Sequence, residues 1–108
     1  MSTVEFEDFK KLDIRVGRIL EATKVEGSSK LIKLSIEIGA ETKQAIAGII
    51  KYYDVPSLVG KLVIVVTNLK PKEMMGLKSE VMVLAAFDGK ELSLLRPDKD
   101  IATGSPVS

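Results

Sequence analysis

The sequence predicts an all-β fold: a five-stranded barrel with short helices and an extra C-terminal hairpin strand. Three observations predict it. Leu31 to Ile38 alternates strictly, with Ile32, Leu34, Ile36 and Ile38 apolar and Lys33, Ser35 and Glu37 polar, the pattern of a strand with one buried and one wet face. Leu62–Thr67 and Val81–Phe87 are apolar runs of strand length, β-branched at their starts and too short to span a membrane. The order of elements, three strands, a short helix and two long strands, suits a small barrel.

Taken in order, the chain opens on Thr3-Val4-Glu5-Phe6-Glu7-Asp8-Phe9-Lys10-Lys11. Thr3 is placed to cap a short helix, acidic residues fill its first turn and lysines its last. Phe6 and Phe9, three apart, share one face and are expected to pin the helix to the barrel or to a partner chain. Leu12, Ile14 and Val16 then point one way, and the apolar phase shifts after Gly17, which predicts a bulge or bend there in a long first strand. Arg15 faces away from the core. Val25–Lys30 is a turn, Leu31–Ile38 the second strand, Gly39–Thr42 a hairpin turn and Lys43–Ile50 the third strand. Asp54 is expected to cap a short helix that starts near Pro56 and ends at Gly60. Lys61–Thr67 is the fourth strand, Val81–Phe87 the fifth, and Asp88-Gly89 turns the chain into a sixth, Leu92-Ser93-Leu94. From Pro97 a polar tail follows. The 108 residues read as one domain without repeats.

Between the fourth and fifth strands lies a lysine-rich stretch, Asn68-Leu69-Lys70-Pro71-Lys72-Glu73-Met74-Met75-Gly76-Leu77-Lys78-Ser79-Glu80. Pro71 and Gly76 predict an irregular loop. Alternation about Pro71 is expected to send Lys70 and Lys72 to one side, next to Asn68. Loops held by a rigid sheet are where binding residues gather. Cations beside neutral hydrogen-bonding groups on a rigid frame suit phosphate. A single surface lysine is solubilising far more often than functional, so it is the cluster that carries the inference. An exposed Met74 or Met75 would suit an adaptable peptide-binding surface.

Composition removes other classes. The chain has no histidine and no cysteine, which excludes structural zinc sites, thiol nucleophiles, Ser-His-Asp catalysis and disulfides. No paired carboxylates and no phosphate-cradling glycine loop are present, so no enzyme activity, cofactor or metal is expected. The net charge of +1 leaves room only for a local basic patch. The N-terminus is not a secretory signal and no run is of membrane-span length, so the expectation is a cytoplasmic protein with no membrane contact.

The helix between strands three and four favours an oligonucleotide-binding barrel, the OB-fold, over an SH3-like barrel. Specific residues then bring a resemblance. Phe9-Lys10-Lys11-Leu12-Asp13-Ile14-Arg15-Val16-Gly17 resembles the opening of the tRNA-binding domain family, which includes C-terminal domains of bacterial methionyl-tRNA synthetases and small β subunits of archaeal ones. Gly27-Ser28-Ser29-Lys30-Leu31, Gln44 with Gly48-Ile49, Gly60-Lys61, Asn68-Leu69-Lys70-Pro71 and Leu94-Leu95-Arg96-Pro97-Asp98 follow in order. The resemblance implies a homodimer that binds tRNA, a non-catalytic β-subunit role beside a methionyl-tRNA synthetase catalytic subunit, and RNA contacts at Arg15, Lys30, Lys33, Asn68, Lys70, Lys72, Lys78, Ser79 and Met82. One departure stands out. The family reads Ser-x-Gly-Met where this chain has Ser79-Glu80-Val81-Met82. Val81 would stand where glycine lets RNA approach, and the Ser-Glu-Val reading is similar to CsaA-type export chaperones of the same fold. A peptide-binding chaperone is therefore the alternative, and a purely structural subunit of a synthetase complex a third reading.

Overall fold

A long first strand organises the sheet. The structure, a computed structural model, describes residues 2–108. Strand β1 (Ile14–Lys24) pairs with β4 (Leu62–Val66) through its first half and with β2 (Ile32–Ile38) through its second. Strand β3 (Glu41–Ala47) continues the meander in unbroken register, from Ile32 opposite Ala47 to Ile38 opposite Glu41. A short strand β7 (Met82–Val83) lies beyond β4, so the order is β3-β2-β1-β4-β7. The all-β expectation holds. Ile32, Leu34 and Ile36 are fully buried, together with Ile19, Val63, Val65 and Leu58. Each such burial contributes about 1.5–3 kcal/mol. Leu58 comes from a 3-10 turn, Val55–Leu58, which plugs the sheet's end. Asp54 caps that turn with its carbonyl, which accepts from the Ser57 N–H and hydroxyl, and not with its carboxylate.

Several expected details move. Helix α1 is a single turn, Phe6–Phe9, with Glu5 and not Thr3 at the N-cap position. Phe6 and Phe9 do share a face, with ring centroids 6.4 Å apart, but both are exposed. The β1 bulge falls between Ile19 and Glu21, not at Gly17. Gly17 answers a different need: a Cβ there would lie 2.6 Å from Ile36 Cγ2, so only glycine lets β1 cross β2 this closely. Strand β3 ends at Ala47, because Gly48 leaves the ladder.

The lysine-rich stretch is not irregular. It is a hairpin, β5 (Lys72–Met74) with β6 (Leu77–Ser79), turned at Met75 (φ 52°) and Gly76 (φ 77°). Two successive positive φ values are the geometry of a tight hairpin turn. Methionine in the first of them hides the usual Asn-Gly signal. The expected fifth strand, Val81–Phe87, is split at Leu84. Its first part, β7, pairs with β4. Its second, β8 (Ala85–Phe87), pairs with β9 (Leu92–Leu94), the extra hairpin strand. The Asp88 carboxylate accepts from the Lys90 and Glu91 N–H groups, which fixes that turn and holds its pKa below the ordinary carboxylate value. The tail is also ordered: β10 (Pro106–Val107) pairs with Ile14 and Arg15.

The curled sheet closes through one backbone bond and several side-chain bonds. Between β3 and the segment before β7 there is no ladder. The Glu80 N–H donates to the Gln44 carbonyl (2.8 Å) and the Gln44 N–H to Glu80 Oε1 (2.9 Å). Gln44 Nε2 reaches the Lys78 carbonyl (2.9 Å), and Ser79 Oγ accepts from the Ile46 N–H (3.0 Å). Beyond Ile46 the two sides part and leave a gap. Among the described residues no helix is long and apolar enough to cross a membrane.

Candidate nucleic-acid interface

The gap at the seam is an apolar pocket of about 410 Å³ beneath the β5–β6 hairpin. Ile46, Ile49, Leu69, Met74 and Val81 line it, Met82 flanks it, and Lys70, Lys72, Ser79 and Glu80 border it. Pro71 fixes the chain between the two lysines, so both reach one pocket, as alternation predicts. Neither takes part in the ion pairs found among the described residues. Ser79 has its hydroxyl committed inward, donating to the Val81 carbonyl (3.0 Å) while accepting from Ile46. Val81, expected to obstruct the approach where the family has glycine, is instead buried in the core cluster and forms part of the pocket's wall.

Next to the pocket runs the open face of the sheet. Glu21, Thr23, Lys33, Ser35 and Gln44 line a shallow recess there, and Glu80 borders both this recess and the pocket. Lys33 stands opposite Ile46 in the ladder, at the junction of the two. This face carries no aromatic side chain among the residues that line it.

A third recess, lined by Asp13, Arg15, Thr67 and Asn68, adjoins the second at Lys43. Here the charges are spent on the fold. Arg15 Nε donates to Asp13 Oδ1 (2.8 Å) and its Nη1 to the Gly104 carbonyl (3.0 Å). Thr67 Oγ1 donates to the Asp13 carboxylate as well. The Thr67 hydroxyl first, then the Arg15 guanidinium, hold the Asp13 pKa below its ordinary value of 3.8. Asn68 Oδ1 accepts from the Asp13 N–H (2.8 Å) and its Nδ2 donates to the Lys11 carbonyl (2.7 Å), tying the end of β4 to the start of β1. Asn68 thus lines this recess, whereas Lys70 and Lys72 line the seam pocket.

The remaining candidates lie apart. Lys30 is exposed in the β1–β2 turn, its N–H held by Ser28 Oγ, and Lys78 stands opposite Glu73 in the hairpin. Neither borders a recess described above. Lys43, which joins two recesses, was not among the predicted contacts. Its place at the start of the third strand was the available signal, but its pairing with Glu41 (3.5 Å) was not.

A curled all-β sheet with a basic-rimmed pocket at its seam defines a binding module. The chain belongs to the tRNA binding domain family, whose family model matches residues 14–106. It is 49% identical over 105 residues to the methionine–tRNA ligase of Caldanaerobacter subterraneus subsp. tengcongensis, an alignment covering 97% of this chain and 16% of that protein. The ligase of Archaeoglobus fulgidus is likewise 49% identical, over 96% of this chain and 16% of its own length. The chain therefore spans only about a sixth of these relatives. Among solved structures, a MetRS related protein from Pyrococcus horikoshii superposes with a TM-score of 0.94 at 30% identity, over 100% of both chains. The CsaA chaperone of Bacillus anthracis superposes at 0.90 with 34% identity, over 99% of this chain and 100% of that one.

Proposed function

We propose that this chain is an OB-fold module that binds tRNA and serves a methionyl-tRNA synthetase as a non-catalytic β subunit, in the cytoplasm and as a homodimer. The single observation that carries the reading is the pair of lysines, Lys70 and Lys72, on one rim of the seam and in none of the ion pairs among the described residues, in a member of this family. With no aromatic platform on the open face, stacking at about 1–3 kcal/mol per base is not available there. Recognition then rests on backbone and shape, and binding falls steeply with salt. The exposed Phe6–Phe9 pair supports self-association, since an apolar face left in water is costly and a symmetric copy covers it. Filter binding with bulk tRNA tests the reading: saturable binding that weakens with salt supports it, and no binding at low salt refutes it. Light scattering that returned a monomer mass at micromolar concentration would remove the homodimer.

The second reading is a peptide-binding chaperone. Met74 and Met82 around an apolar pocket favour it, together with the likeness to the CsaA structure. Capture of an unfolded polypeptide with no tRNA binding would select it.

A further inference from the structure

Phosphate contacts alone leave the pocket itself without a role. Its interior is apolar, Met74 and Met82 come from different strands, and two lysines two positions apart, Lys70 and Lys72, stand on its rim. At its edge Gly48 is exposed, and a Cβ there would meet nothing closer than 3.8 Å. We propose that the pocket takes one unstacked nucleobase of a bound RNA, with the phosphates on either side of that nucleotide held by Lys70 and Lys72. This deepens the tRNA reading and rests on it.

Three arguments favour a nucleotide. The first is charge. A nucleotide within a chain is flanked by two phosphates, and on this pocket's border two cations, Lys70 and Lys72, outnumber the one carboxylate, Glu80. A peptide terminus would bring one carboxylate for two lysines. The second is the interior. Thioethers make favourable contacts with aromatic rings, so two methionines supply what the sheet face lacks. The third is access. RNA-binding proteins read unpaired bases by burying them and hydrogen-bonding their edges, and the bare backbone at Gly48 lets such an edge approach. The volume, about 410 Å³, is near the lower end of small-ligand pockets.

The test uses the full chain and bulk tRNA, titrated at several salt concentrations. Ala47→Leu adds bulk at a residue that lines the pocket and changes no charge. It is expected to weaken tRNA binding at least tenfold with an unchanged salt slope, because every phosphate contact remains. Met82→Ala, at a half-exposed position and therefore mild for folding, is expected to lose about threefold, again without a change of slope. A short single-stranded RNA carrying 2-aminopurine is expected to change emission on binding and to outcompete the same oligomer made abasic at that position. Unchanged tRNA affinity in both variants overturns the pocket proposal and leaves RNA binding standing. Absence of tRNA binding by the wild type overturns the underlying reading instead. An apolar peptide with a free C-terminus that binds the wild type but not Ala47→Leu, with no response from the RNA oligomer, assigns the pocket to peptide and overturns the proposal.

Discussion

Two recesses of this molecule, one at Arg15 and Asn68 and one at the seam, both hold cations and put them to opposite uses. In the Arg15–Asn68 recess the two named side chains are tied to the chain itself: Arg15 to Asp13 and Gly104, Asn68 to Asp13 and Lys11. At the seam Lys70 and Lys72 are held in place by Pro71 and two short strands, yet their ammonium groups have no protein partner among the described residues. A cation whose field is cancelled by an adjacent carboxylate has little left for a phosphate, whereas an unpaired one keeps its reach over about a Debye length. The first region is therefore architecture, and the second suits the contact surface proposed above.

The largest effect that sharpens this contrast is Asn68→Ala. Two hydrogen bonds that span more than fifty residues of sequence are lost, costing about 1–2 kcal/mol. Denaturant unfolding should show the loss, and the tRNA salt slope should not change. A smaller effect is expected at the hairpin turn. Met75 has φ 52°, a region that costs an ordinary L-residue roughly 1–2 kcal/mol and that asparagine tolerates better. Met75→Asn is expected to raise stability by less than about 1 kcal/mol, read from the thermal midpoint, and to leave tRNA affinity within twofold. The smallest effect concerns acid. Asp13 has its pKa lowered in the fold, so the unfolded chain binds the proton more readily. Its stabilising contribution is present above the ordinary value of 3.8 and is lost as the pH falls through the lower folded value. Asp13→Asn should be less stable at neutral pH and show a shallower acid decline, followed by circular dichroism between about pH 5 and 2.

How legible this was differs between the same two regions. The meander was readable because burial imposes a period of two on Ile32, Leu34 and Ile36, and the apolar run Leu62–Val66 left little choice. The hairpin at Lys72–Ser79 was not, because its turn uses methionine at a positive φ, and only backbone geometry discloses that. The split of Val81–Phe87 at Leu84 was equally hidden: an apolar run does not state when it changes partners. At the site, the chain order correctly brought Lys70 and Lys72 together. It could not separate Asn68 from them, since hydrogen bonds to Lys11 and Asp13 are contacts distant in sequence. Lys43 escaped because the expected third strand began with it, two residues late.

The central claim is that Lys70 and Lys72 meet the phosphates. Lys70→Glu/Lys72→Glu is compared with Lys90→Glu/Lys99→Glu, which makes the same change of net charge on the far hairpin and the tail. Equal melting of the two variants is established first, since exposed substitutions of this kind should move stability by less than about 0.5 kcal/mol. Titration of tRNA across salt concentrations is then expected to show a strong loss of affinity for the first variant, with the slope flattened by roughly one unit per lysine, and near wild-type binding for the second. Equal losses in both would mean that only net charge is read, and no loss in either would mean that the seam lysines are solvated surface.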